Sequence, residues 1–498
     1  MKKILKRIFT ITLIITLTLT YSGSITAFGA DSKGIKVQYN GENINFTDAA
    51  VKVVDGRTVV PFRQILETMG AVVGFDTKTK IITAKTSDKE ISFAVGGKNI
   101  TINENGKKVT KQMDTAPFVD KKSNCTYVSV RFIAESMGYS VGWDEAEKTA
   151  IIINPADIYA NVDKDFSIVN KLLKTDLDLE KTYETNGKFS CDVETHNAPN
   201  TTNSAMNFSV NGEMNGVQQK LNADLTMKLT VNMDKMLTTL PAEQKAALQP
   251  MLETLKNADM NVKMNGETGN TYMQSNLFSV LNPTADKNTW YKMNMYDQYN
   301  AMGIDLKSIM SHQSTKMNLS DLIELMSYVE YSDVSAYKDM KTSYTFLKYL
   351  MGDDAFTTKT SGDINTYTLD INQTAIMAAL AKTAIAEGVT NDALDIKELE
   401  TFLKESKLSA NLTIQDKGGS LYGYSIKGSG SIEKKGSFAM NITGDQKNAV
   451  IDMTLDMEEL MKMGIKAESH ISETTKKLNI EIPAGAKVVE MPLQKPVL

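Results

Sequence analysis

The sequence predicts an α+β protein: a small duplicated α/β domain followed by a large, curved antiparallel sheet covered by helices. Three observations predict it. A segment near the N-terminus occurs twice. A long series of later segments alternates apolar and polar residues at period two. Helical stretches interrupt that series, and the strands before and after them look alike, so one sheet is more economical than two.

The first thirty residues precede the fold. Lys2, Lys3, Lys6 and Arg7 form a positive head, residues 8–19 a short apolar run, and Ala27, Gly29 and Ala30 a small-residue exit. This pattern is expected to be a secretory signal peptide over residues 1–30, with an uncleaved anchor as the alternative. Without those four cations, 51 basic side chains face 60 acidic ones, a net charge of about −9. Such a balance disfavours nucleic acid and anionic membrane surfaces as partners. The two cysteines, Cys125 and Cys191, are expected to be free thiols in different domains; a disulfide between them is the alternative.

The doubled segment lies at residues 58–82 and 126–150, offset by 68 positions, with 11 of 25 identical. Each copy reads as a turn, a β-branched strand (Val59-Val60; Tyr127-Val128) and a short helix. Phe62, Ile65, Leu66 and Met69 recur at helical spacing in the first copy, as do Val130, Ile133, Ala134 and Met137 in the second. Gly70 and Gly138 suit a left-handed helix cap. Asp76 and Asp144 open a polar turn after Phe75 and Trp143. Arg63/Glu67 and Arg131/Glu135 are four apart, the spacing of ion pairs that support a helix, and this reading is preferred to a charged site.

These residues carry a resemblance. Residues 34–155 resemble the copper amine oxidase N-terminal-like domain, or stalk domain, found in exported and cell-surface proteins of Gram-positive bacteria. The first copy matches through Asp55-Gly56-Arg57-Thr58, Val60-Pro61-Phe62-Arg63, Glu67, Met69-Gly70 and Phe75-Asp76. The second matches through Thr126, Val128, Arg131, Glu135, Met137-Gly138 and Trp143-Asp144. It departs at Lys122-Ser123-Asn124-Cys125 and at Ser129, where a less rigid hairpin is expected; Asn124 can still take a left-handed turn. The resemblance implies a spacer or interaction module rather than an oxidase. The three histidines, His196, His312 and His470, stand more than a hundred residues apart, too far to read as a copper set. No metal and no cofactor are expected.

Residues 156–178 read as a linking helix, residues 179–485 as the large sheet domain and residues 486–498 as a tail. The longest alternation places Leu221, Ala223, Leu225, Met227, Leu229, Val231 and Met233 on one face. Others run through Phe189/Cys191/Val193, Tyr291/Met293/Met295, Ala449/Ile451/Met453/Leu455/Met457 and Leu478/Ile480/Ile482. Helices are expected at 241–256, 299–310, 319–329, 337–351, 374–387 and 395–406. This region resembles the half-barrel carriers of bacterial envelope lipoproteins, in which a curved sheet wraps helices over an apolar cavity. The lipobox cysteine of those proteins is missing.

Most of the 28 methionines follow the first domain, on the apolar side of alternating strands. They read as an adaptable core or cavity lining in preference to Cu(I) ligands. No G-x-S-x-G elbow or phosphate loop occurs, and adjacent acids such as Asp353-Asp354 or Glu458-Glu459 read as solvated turns or helix ends. The chain is therefore expected to be a non-catalytic envelope protein outside the cytoplasmic membrane. A lipid or other apolar ligand is expected at Leu225, Met227, Leu229, Met293, Met295, Met453 and Leu455. A structural or adhesive surface protein with a solid core, in contact with a cell-wall component, is the alternative.

Overall fold

The computed structural model describes residues 34–491 except 88, 105, 175, 179, 196–206, 235–236, 238–241, 279–285, 287, 301–306, 308–317, 321–331, 389–395, 433–434 and 458–459. The expected leader, the helix at 319–329 after its first two residues, and both His196 and His312 lie outside the described residues. The chain divides into two compact units, one of residues 1–160 with 326–345, the other of residues 161–325 with 346–498.

In the first unit the two repeats meet strand to strand. Arg57–Pro61 pairs antiparallel with Cys125–Ser129, and Val60 stands opposite Val128. These two valines are equivalent positions of the repeat, so the pairing places a local two-fold axis between them. Each strand runs directly into its helix, Phe62–Thr68 or Val130–Ser136, and burying Ile65-Leu66 and Ile133-Ala134 fixes both helices on one core. Gly70 (φ 83°) and Gly138 (φ 88°) take the left-handed conformation that ends each helix. Beyond the helices the copies diverge. Val72–Phe75 and Ile81–Lys85 begin a five-stranded sheet, whereas Ser140–Asp144 and Thr149–Ile153 join Lys36–Tyr39 and Glu42–Asn43 in another.

Thr149–Ile153 is buried at all five positions, because both of its faces are covered. Ala150 and Ile152 face the main core. Ile151 and Ile153 face a second cluster with Ile158, Ala336, Tyr337, Met340 and Tyr344. The first half of the helix Ala336–Met351 thus packs with the first unit, although the sequence reading placed it with the second region. Three consecutive isoleucines were the available hint that this strand needs cover on two sides.

The departing turn of the second repeat has its own fastening. Asn124 is left-handed (φ 54°), as Asp55 and Gly56 are in the first copy. The Asp120 carboxylate accepts from the Ser123 hydroxyl (2.7 Å) and amide (3.0 Å) and pairs with Lys52 (2.9 Å). The Ser123 hydroxyl first, then Lys52, pull the Asp120 carboxyl down to about 2. The folded value lies below the ordinary one, so this support is present above the ordinary carboxylate range and is lost as pH falls towards 2. Ser123→Ala is expected to move the Asp120 titration midpoint, followed by carboxyl NMR, upward towards the ordinary value. An unchanged midpoint would contradict this account of the turn.

The second unit is built on a 14-stranded sheet among the described residues. Its spatial order is Thr357–Ser361, Ile364–Asn372, Ser409–Lys417, Ser420–Ile432, Gly436–Gly444, Asn448–Met457, Met461–Glu473, Tyr183–Thr195, Asn207–Gln219, Asn222–Asn232, Ala258–Met264, Asn270–Ser275, Trp290–Asn294 and Val488–Glu490. Neighbours are antiparallel except the last pair. The first strand in sequence, Tyr183–Thr195, lies mid-sheet against Met461–Glu473 over thirteen paired residues. Helix Ala242–Lys256 packs on Asn222–Asn232, Gln373–Ala386 on Ile364–Asn372, and Ile396–Ser406 on Ser420–Ile432. The architecture is mixed α+β and mostly sheet.

Three local expectations are corrected. The linking helix at 156–178 is three short helices, Pro155–Tyr159, Val162–Asp165 and Ser167–Asn170, broken at Asn161 and Phe166, whose backbone angles are not helical. The alternation Leu478/Ile480/Ile482 forms no ladder. The Lys263 amine, on the polar side of its strand, donates to the Asn479 carbonyl, and Lys476 pairs with Glu184. This segment therefore lies over the sheet's polar face and returns at the edge, where the Trp290 amide donates to the Lys487 carbonyl. Finally, Met295 starts the helix Met295–Asn300 instead of extending the strand, its amide donating to the Gly269 carbonyl.

Candidate apolar binding face

Strand register decides which side chains share a face. Ile426, Ile442, Ile451, Ala467, Phe189 and Gly212 stand side by side across six strands. One row away, Gly428, Met440, Met453, Ile465, Cys191 and Val210 do the same. One row to the other side, Gly187, Met214, Met227 and Met260 follow in register. The opposite face carries Lys427, Asn441, Asp452, Lys466, Ser190 and Asn211 in one row. In these rows one side of the sheet is uncharged and the other is polar.

The uncharged surface is half-buried rather than sealed. Leu225, Met227, Leu229, Met293, Met453 and Leu455 are all of intermediate exposure. Large side chains lie down over glycines of the neighbouring strand. A Cβ added at Gly212 would stand 2.2 Å from the Phe189 ring, at Gly216 2.3 Å from Leu225, and at Gly430 2.7 Å from the Phe438 ring. In each case the glycine is the register partner of the large residue. This keeps the apolar layer thin. At Gly187 no neighbouring ring lies over the glycine. There the face sinks into a depression of about 150 Å³ lined by Lys188, Phe189, Met214, Ala449, Ile451, Ala467, Glu468 and Ser469, with the Glu468 backbone oxygen 3.1 Å from where a Gly187 Cβ would stand.

The expected ligand residues are placed as follows. Met227 sits between Met214 and Met260, Leu229 between Gly212 and Ala258, and Leu225 between Gly216 and Val262. Met453 lies between Met440 and Ile465, and Leu455 between Phe438 and Met463. Met293, opposite Thr271, is on the same face near the strand end. Met295 is not on the face, for the reason given above. The sequence reading did not assign the depression's own walls to the site. Phe189 and Ile451 stood in recognised alternations, but only register shows that they converge on Gly187.

Other chemistry-bearing groups are dispersed. Cys125 and Cys191 are free thiols, one in each unit, and burial pushes the Cys191 thiol up. His470 is exposed on the polar face, with its Nδ1 2.7 Å from the Asn448 side-chain oxygen. Arg63–Glu67 (3.4 Å) and Arg131–Glu135 (3.6 Å) are exposed helix-surface pairs. Among the described residues no group of three or more His, Cys, Asp or Glu is placed to hold a metal ion, and no helix is long and apolar enough to cross a membrane.

Comparison with known proteins informs the first unit alone. No curated protein matches the chain. Solved structures that match include engineered proteins studied for asymmetric conductivity (10% identity, 58% of this chain, 100% of that chain, TM-score 0.12). A mutant Rh. blastica porin also matches (9% identity, 58% of this chain, 100% of that chain, TM-score 0.11). At such TM-scores neither likeness carries an argument. Residues 38–152, by contrast, match the family model of the copper amine oxidase N-terminal domain, and that N-terminal domain is the only part of such an enzyme the match covers.

Proposed function

We propose that this chain is a non-catalytic exported envelope protein whose second unit binds the acyl chain of a lipid or similar amphiphile on the uncharged face of its sheet. The observation that carries this reading is the register. It lines up half-buried apolar side chains over strand after strand, with no charged residue in the rows that border the Gly187 depression. Methionines and glycines make such a surface adaptable to flexible chains. The face curves around its ligand in this reading, with the first unit as a spacer or interaction module. The cationic head and apolar run of residues 1–19 support export.

The test is titration of the purified chain with a fluorescent sixteen-carbon fatty alcohol. Saturable binding is expected, weakened at least about tenfold by Ile451→Lys, which would bury a cation against the apolar layer. A wild-type chain that takes up no probe would sink the proposal. The depression's 150 Å³ is below the roughly 300 Å³ at which ordinary ligand pockets begin, which favours a solid-cored structural protein as the second reading.

A further inference from the structure

Three methionines occupy one register row on three adjacent strands, Met214 opposite Met227 and Met227 opposite Met260. Cross-strand partners lie about 5 Å apart at Cβ, so the three thioethers form one sulfur-rich strip. The strip borders the depression. The Met214 methyl group is 3.7 Å from where a Gly187 Cβ would stand. A second in-register pair, Met440 and Met453, lies across the face. All five side chains are half-buried, which leaves them within reach of a small solute.

We propose that the Met214–Met227–Met260 strip is an oxidation site through which a hydroperoxide switches the apolar face off. This rests on the reading of that face as a binding surface. In the step, a thioether sulfur attacks the terminal peroxide oxygen. The O–O bond breaks, the proton of the attacked hydroxyl passes to the departing oxygen, an S=O bond remains, and the other oxygen leaves as water or an alcohol. The sulfur loses two electrons and the peroxide gains them. The product is a polar sulfoxide in place of a soft apolar group. The row holds no charged side chain to solvate it: beyond Met260 stands Ser275, and beyond Gly187 stand Ser469 and Ala449. An alkyl chain laid on the strip would then have to desolvate sulfoxide dipoles without partners.

The Cys191 thiol, which shares the face with these thioethers, is less suited. Burial holds it in the protonated, slowly reacting form, whereas a thioether carries no proton and reacts across the pH range.

The experiment treats the full chain with hydrogen peroxide, locates sulfoxides by peptide mass spectrometry, and titrates the fatty-alcohol probe before and after. Sulfoxides at Met214, Met227 and Met260 with at least tenfold weaker binding are expected, with binding restored by sulfoxide reductases for both epimers. Cys191→Ser should lose affinity on peroxide treatment by the same factor as the wild type. In the triple variant Met214→Leu, Met227→Leu, Met260→Leu, whatever its starting affinity, peroxide should leave that affinity unchanged, because leucine has no sulfur to oxidise. Reductase rescue of the wild type serves as the control should the triple variant fail to fold. Oxidised strip residues with unchanged binding would overturn the inference, as would loss of binding while the strip stays reduced. Failure of the untreated chain to bind would instead fall on the proposed function and take the switch with it.

Discussion

Lys171→Met is expected to destabilise the second unit by about 3 kcal/mol at neutral pH. Lys171 reaches the Asp416 carboxylate (3.1 Å), and the Asp416 side chain is only 4% exposed. Asp416 sits at a register shift: Gln415 pairs with Gly423, but Asp416 pairs with Leu421. The extra residue, Tyr422, lies on the partner strand, while Asp416 keeps its register with Asn365 on the other side and so shares a face with Ile414. Burial alone would push this carboxyl up; donors from Asn365 and Lys171, with the Lys171 charge, hold it below the ordinary carboxylate range. The pair therefore contributes stability above that range, and the contribution is lost as pH falls through the depressed value. Removing the cation leaves a buried carboxylate with the Asn365 amide (3.1 Å) as its main side-chain partner. The deficit should shrink in acid, where Asp416 takes up a proton. Urea unfolding at pH 7 and pH 4 reads both effects, and Asp416→Asn added to Lys171→Met should recover much of the loss. A single variant as stable as the wild type at pH 7 would refute the account.

Leu66→Ala is expected to cost the first unit about 3 kcal/mol. Leu66 is fully buried on the helix Phe62–Thr68, in a core shared with Val60, Ile82, Val128 and Ile133. Its equivalent in the second repeat is Ala134, also fully buried. The two copies thus fill one core with unequal side chains, and truncating the larger leaves a cavity that its counterpart cannot fill. The measurement uses the chain's two tryptophans, Trp143 in the first unit and Trp290 in the second. In a Trp290→Phe background, Trp143 emission reports the first unit's unfolding. A midpoint unmoved by Leu66→Ala would show that the core relaxes around the loss.

The first unit was largely legible because its signals are local. Helix periodicity, Gly70 and Gly138 at the caps, and Asp76 in its turn all act within a few residues. The Asp76 carboxylate accepts from the Lys78 and Thr79 amides at 2.7 and 3.1 Å. What stayed hidden was non-local. Nothing in residues 336–345 announces that Ile151 and Ile153 need them. In the second unit, alternation identified most strands and the side that turns inward. It carried no register, so Met227 could be assigned to the apolar face while Met214 and Met260 beside it could not be placed. It also misled where polar contacts won. Residues 478–482 alternate like a strand, yet the Lys263 amine holds their backbone over the polar face.

The mid-sheet seam has a consequence for how the chain is made. Tyr183 pairs with Glu473, and Thr195 with Met461. The strand that begins the second unit emerges from the ribosome long before its partner exists. Until then one edge of its ladder stands open, and its Phe189, Cys191 and Val193 have no neighbours on that side. Pairing across such a sequence distance closes a large loop before any contact rewards it, which makes folding slow and keeps sticky intermediates in play. The same apolar rows would also suit another copy of the unfinished sheet. A holding partner during synthesis, or a chain kept extended until its last long strand arrives, would meet that hazard.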